Sequence, residues 1–135
     1  MKKHLLRISM LAALAAGVTQ AQSAELKANV PFSFMLGKQA LPAGTYHVDQ
    51  SKNSNLVIVH STGGPTVPIT VIRATSSSTQ EVSKLVFHRY GDRYFLAEIW
   101  TRGSDNGWRL SRTSLERELA ARRSIAGAQV LVALR

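Results

Sequence analysis

The sequence predicts a mainly β protein: an antiparallel sandwich or small barrel with one C-terminal α-helix. Three observations carry this. Leu85 to Trp100 is the densest run of strand-forming residues, broken once at Gly91-Asp92. Short apolar or alternating runs separated by turn residues recur upstream of it, which is the pattern of about six to eight short strands. After Trp108 the pattern changes to one suited to a helix.

Taken in order, Glu25 to Met35 reads as a first strand, with Leu26, Ala28, Val30, Phe32 and Phe34 alternating with polar residues. Pro31 lies inside it and cannot donate a ladder hydrogen bond, so an edge or a bulge is expected there. Gly37-Lys38 and Leu41-Pro42-Ala43-Gly44 read as turns. Thr45 to Val48 begins a strand, with Tyr46 and Val48 on one face. Ser51 to Asn55 is turn-like and Leu56 to His60 is a short apolar strand. Ser61 to Pro65 is a loop, and Val67 to Ile72 is a strand that tolerates Pro68 only near its start. Ala74 to Gln80, with Ser76-Ser77-Ser78-Thr79, reads as a flexible connection.

The central hairpin follows. Two apolar runs around a glycine-first dipeptide predict a tight primed turn, with glycine supplying the positive φ. The register then pairs Tyr90 with Arg93, Arg89 with Tyr94, His88 with Phe95, Phe87 with Leu96 and Val86 with Ala97. Residues opposite each other share a face. Lys84, Val86, His88, Tyr90, Arg93, Phe95, Ala97 and Ile99 would lie on one side. Leu85, Phe87, Arg89, Tyr94, Leu96, Glu98 and Trp100 would lie on the other. Both faces are apolar in the middle, so the hairpin is expected to be covered on both sides, with Arg89 and Arg93 placed for cation–π contacts to Tyr94 and Tyr90. Thr101 to Gly107 reads as a loop. Thr113-Ser114-Leu115-Glu116 fits a capping box, opening a helix of about three turns. Leu115, Leu119 and Ala120 lie on its apolar face, and Arg122-Arg123 complement its dipole. Gln129 to Leu134 reads as a last strand.

At 135 residues the chain holds one domain. Residues 1–21 read as an export signal: Lys2, Lys3 and Arg7, then the apolar run Ile8 to Val18, then small residues at Thr19 and Ala21. The cut is placed after Ala21, with Ser23 or Ala24 as alternatives. The apolar run is shorter than the ~20 residues of a membrane span, so no transmembrane segment is expected after processing. The mature chain would be residues 22–135, a single β-rich domain, exported to the periplasm or the extracellular space. Removing three cations leaves 14 Lys+Arg against 8 Asp+Glu, a net charge of +6 against +9 for the whole sequence. The charges are dispersed apart from Arg109, Arg112, Arg117, Arg122 and Arg123, so no nucleic-acid partner is expected. A basic surface favours anionic lipid or polysaccharide at most. With no cysteine, neither disulfides nor a lipid-modified cysteine can contribute, and the core must hold the domain together.

No phosphate loop, nucleophile elbow or zinc motif is present. His47, His60 and His88 fall on three separate strands and nothing in the sequence brings them together, so neither metal nor other cofactor is expected. Ser83, His88 and Asp92 are residue types of a hydrolytic triad, but Ser83 lies at the far end of the hairpin from Asp92. Glu98 is a half-buried carboxylate in mid-strand. Arg89, Tyr90, Arg93, Tyr94 and Trp100 are the candidate ligand-binding residues, because aromatic rings join an apolar body to a polar handle.

The strand Val30-Pro31-Phe32-Ser33-Phe34, the turn Leu41-Pro42-Ala43-Gly44-Thr45-Tyr46, the hairpin from His88 to Leu96 and the helix motif Glu116-Arg117-Glu118-Leu119-Ala120 are carried together. In these the chain resembles a group of small exported proteins of environmental bacteria, with a His-Arg-Tyr-Gly-Asp-x-Tyr-Phe-Leu hairpin. The resemblance implies one compact exported domain and transfers no site. The leading expectation is a non-enzymatic envelope or secreted protein that binds a partner or surface. The alternative is a small β-barrel carrier of an apolar ligand lined by Phe32, Phe34, Phe87 and Leu96. A third reading, an enzyme using His88 or Glu98, requires His88 and an acid to converge in one cleft.

Overall fold

The computed structural model describes residues 26–51, 54–122 and 127–135. The expected export signal and Arg123 lie outside these residues. The described strands are β1 (Leu26–Val30), β2 (Phe34–Leu36), β3 (Gln39–Leu41), β4 (Gly44–Gln50), β5 (Leu56–Ser61), β6 (Thr66–Thr75), β7 (Lys84–Tyr90), β8 (Arg93–Trp100), β9 (Asn106–Leu110) and β10 (Gly127–Ala133). The helix α1 (Ser114–Ala121) falls between β9 and β10. Among the described residues the protein is mainly β with a single helix near the C-terminus, as expected. The strand order is β1-β4-β5-β6-β9-β8-β2-β3, with β7 pairing β8 and β10 pairing β7. One pairing departs from the expected antiparallel pattern: β2 runs parallel to β8, bridged at Met35 and Phe95.

The sheet does not close into a barrel. Strand β6 is ten residues long, and its halves serve different partners. Thr66 to Thr70 pair with β5 and Val71 to Thr75 pair with β9. A strand that changes partners midway turns a corner, and it sets β1, β4 and β5 against β7, β8 and β9. The core cluster draws on both sides: Val30, Tyr46, Val48, Val57 and Val59 from the first, Leu85, Phe87, Leu96, Ile99 and Leu110 from the second. Phe34 packs edge-on to Phe87 at 5.2 Å and to Tyr46 at 5.1 Å, while Phe32 meets Phe87 at 5.0 Å. The four residues expected to line a carrier's cavity therefore fill the core instead. The Tyr46 hydroxyl donates to the Pro42 carbonyl and pins the turn that enters β4.

Pro31 does more than mark an edge. It ends β1, and the chain resumes as β2 at Phe34. The hairpin turn forms at Gly91, with φ +62°. Asp92 keeps a negative φ, which makes this the primed turn with glycine alone in the positive region. The pairing follows expectation from Tyr90–Arg93 to Phe87–Leu96, then shifts. Val86 pairs with Glu98 and Leu85 with Ile99, leaving Ala97 as the extra residue of a β-bulge. The expected Val86–Ala97 pair does not form. The bulge reverses the facing of everything after it. Ile99 enters the core, and Trp100 joins Val86 and Ala74 in a second cluster on the outer face.

Two further expectations are corrected. Asn106 to Leu110 is strand β9, where a loop was expected to run to Gly107. Ser76 to Gln80 is tied to the loop after β8: the Ser76 amide donates to the Asp105 carbonyl at 2.7 Å, and the Gln80 amide to Ser104 at 3.0 Å. Helix α1 is eight residues long, shorter than expected. It covers the outer face near the hairpin turn, where Leu119 packs with Tyr90 and Phe95, and Leu115 packs against them. Ala120 is exposed. Among the described residues, no helix is long and apolar enough to cross a membrane.

Candidate functional site

The bulge at Ala97 builds the site. It turns Glu98 to the outer face, where His88 already lies, and that face looks up at α1. A cleft of about 370 Å³ opens there, lined by His88, Ala97, Glu98, Arg109, Leu110, Arg112, Glu116 and Gln129. Each polar side chain is placed by a separate device. The ladder sets His88 beside Gln129, and Glu98 beside Arg109. The cap at Thr113, whose side-chain oxygen accepts the Glu116 amide at 3.2 Å, fixes the first turn of α1.

Among the described residues Glu116 is the one buried charged side chain, 4% exposed. A carboxylate this deep needs partners, and they come from the sheet. His88 Nδ1 lies 2.9 Å from its Oε1, the Tyr90 hydroxyl donates to the same oxygen at 3.2 Å, and Arg112 Nε approaches to 3.9 Å. The expected return of this side chain to the helix cap is displaced by these contacts. An ionised carboxylate only accepts, so Nδ1 of His88 is the donor of this pair. Burial first, and then the charge of Glu116, push the Tyr90 phenol above the ordinary tyrosine value, while Arg112 pulls it down. Tyr90 thus stays a neutral donor.

Glu98 anchors the second half. Trp100 Nε1 donates to its Oε2 at 2.8 Å, and Arg109 Nε reaches Oε1 at 3.4 Å. Arg109 and Arg112 both engage the acids through Nε, with side chains 60% and 52% exposed. Their guanidinium groups stand at the mouth.

The five residues singled out from the sequence do not share one surface. Tyr90 and Trp100 are buried beneath the α1 side. Arg89 and Tyr94 lie on the opposite face, where Arg89 sits 5.5 Å over the Tyr94 ring and Tyr94 stacks on Phe32 at 3.9 Å. Arg93 is exposed at the turn. Ser83 accepts the Arg102 amide at 2.9 Å, and with Asp92 it stays at opposite ends of the hairpin. Sequence reasoning missed Arg109, Arg112, Glu116 and Gln129 as a group. The available signal was the three-residue spacing of the apolar Leu96 and Ile99 around Ala97-Glu98, which fits a bulge better than a regular strand.

Two histidines do come together, against expectation. The β4–β5 register sets His47 opposite His60, with rings stacked at 5.1 Å and Asp49 3.5 Å from His60. Among the described residues, no group of three or more His, Asp or Glu is placed to hold a metal ion. Compared with family models, curated proteins and solved structures, the chain finds no match.

Proposed function

We propose that this is an exported, non-enzymatic protein that binds the anionic group of a partner in the cleft beneath α1. The observation that carries the reading is the convergence of His88, Glu98, Arg109, Arg112 and Glu116 on one cleft. The two acids are engaged from within, and two arginines remain at the mouth. A guanidinium held through Nε still has its outer N–H groups to offer, and these suit carboxylate or phosphate oxygens. The cleft volume lies in the range of small-ligand sites. Export rests on the charged, apolar and small-residue order of residues 1–21. The carrier alternative is not supported, since Phe32, Phe34, Phe87 and Leu96 pack against one another and the sheet is not a closed barrel.

The test has two arms. Expressed with its own N-terminus, the protein should fractionate outside the cytoplasm, and replacing Lys2, Lys3 and Arg7 with glutamine should retain it inside. Titration of the protein with sodium galacturonate and with inorganic phosphate should shift the amides of Arg109, Arg112 and Gln129, and the double variant R109Q/R112Q should abolish the shifts. No saturable shift with either anion would defeat the binding reading.

A second reading is favoured by one contact. His88 and Glu116 stand at 2.9 Å in a cleft, the convergence that an acid–base enzyme requires, with the carboxylate orienting the imidazole. Hydrolysis of chromogenic esters or glycosides by the protein, lost on His88→Gln, would favour it over binding.

A further inference from the structure

We propose that the open edge of β10 is a strand-addition site for an extended peptide segment of alternating acidic and apolar residues. This main-chain edge meets the cleft at Gln129, but the proposal does not require the cleft to bind an anion.

The argument begins with main-chain direction. The Lys27 amide donates to the Arg135 carbonyl at 3.1 Å and the Arg135 amide to the Lys27 carbonyl at 2.9 Å, a closely paired antiparallel ring. On the other side, the Leu134 amide donates to Ser83 at 2.9 Å. Main-chain groups alternate between the two edges of a strand. Arg135 points to β1, so Ala133, Leu131, Gln129 and Gly127 point the same way. Strand β1 is joined to the segment just after β10 by these bonds and by the Ala28–Leu134 bridge. Among the described residues, no ladder takes up the four residues that precede it along this edge; β10 pairs β7 alone.

Such an edge is ordinarily blunted by charge, proline or a bulge. Gly127–Ala133 reads Gly-Ala-Gln-Val-Leu-Val-Ala, with neither charge nor proline. Leu131 is 59% exposed on its outer face. Val130 and Val132, facing the core, are only half-buried. An added strand would supply both the missing hydrogen bonds and the missing cover.

The chemistry of the occupant follows from the surroundings. Where β1 and β10 diverge, a groove of about 470 Å³ is lined by Lys27, Asn29, Thr45, Val132, Ala133 and Arg135. Strands β1, β7 and β10 contain no aspartate or glutamate. Lys27, Lys84 and Arg135 lie on the outer face with Leu131. A second copy of the chain would bring the same cations to the same edge. An extended segment with acidic side chains outward and apolar ones over Val130 and Val132 matches on both faces. This is β-augmentation, with affinity from the main chain and selectivity from alternate side chains.

The probe is a capped peptide, Glu-Val-Glu-Val-Glu-Val-Glu, with its lysine counterpart as control, added to the full chain and followed by amide hydrogen exchange. The expected result is saturable binding of the glutamate peptide only, with slowed exchange at Leu131 and Ala133. Lys27→Glu with Lys84→Glu should weaken binding about tenfold or more. Leu131→Pro removes a donor from the open edge without touching the β7 ladder; it should abolish binding while the Phe87 amide stays protected, which reports an intact fold. Equal binding of the lysine peptide, or unchanged exchange at Leu131 and Ala133, overturns the proposal. Protection of those amides that rises with protein concentration and no peptide would assign the edge to a second copy, and would overturn it too.

Discussion

At the scale of single residues, the cleft depends on a glycine that never enters it. Gly107 sits on β9 opposite Trp100, and the indole lies flat across it. A Cβ at residue 107 would stand 2.4 Å from Trp100 Cε3 and 2.7 Å from the Ile99 carbonyl oxygen. The backbone oxygen cannot retreat, so the ring must. Trp100 Nε1 is the donor that holds Glu98 Oε2, and Glu98 in turn holds Arg109. Gly107→Ala should therefore act at two places. Overpacking costs about 1–3 kcal/mol, which outweighs the roughly 0.4–1 kcal/mol that alanine contributes by restricting the unfolded chain. A lowered urea midpoint is expected, with a change in tryptophan emission and a weaker response of Arg109 to phosphate. An unchanged midpoint would mean that the indole has room to move, and that Glu98 is positioned by the ladder alone.

At the scale of elements, local chemistry made the hairpin turn and the helix start legible. Gly91 is needed for its positive φ, and Thr113 caps α1 as its spacing from Glu116 predicts. The register near the turn was legible for the same reason, since a two-residue loop leaves no freedom. Legibility failed at Ala97, where the ladder follows burial: Ile99 belongs in the core and Glu98 does not, and one extra residue satisfies both. It failed again at Asn106–Leu110, whose Asn-Gly opening resembles a loop until Trp108 and Leu110 find partners on β6 and β8. The site was lost with the bulge, because on a regular ladder Glu98 faces away from His88. The cap offers a direct test of how helix and site are joined. Removing an N-cap oxygen costs ~1 kcal/mol, and α1 has only eight residues to hold it in place. Thr113→Ala should lower stability by about that amount and loosen Glu116 from His88 and Tyr90, seen as broadened amide signals at 113–117 with β7 unaffected. If instead the Glu116 contacts persist unchanged, the sheet positions the carboxylate and the cap is dispensable.

At the scale of the whole molecule, the first and last described segments are joined to each other. Strand β1 is joined to the segment after β10 by the Ala28–Leu134 bridge and the paired hydrogen bonds of Lys27 and Arg135. Leu134 is 8% exposed and belongs to the core cluster with Ala28 and Val30. Other key pairings are also distant in sequence, β2 with β8 and β6 with β9. Folds dominated by such pairings form slowly, in milliseconds to seconds, because loop closure precedes the reward. The hairpin of β7 and β8 is local and rich in apolar contact, so it is suited to form early. The contact of Leu134 with β1 spans nearly the entire described chain and is suited to form last. Contacts made after the transition state govern unfolding rather than folding. Leu134→Ala should cost about 2–5 kcal/mol as a core truncation, and most of it should emerge as unfolding accelerated roughly thirty-fold or more, with the folding limb little changed. Phe87→Ala, in the hairpin, should instead slow folding. The reverse assignment in stopped-flow measurements would place closure of the seam before the hairpin, and would make β1 and the C-terminal segment the nucleus of the fold.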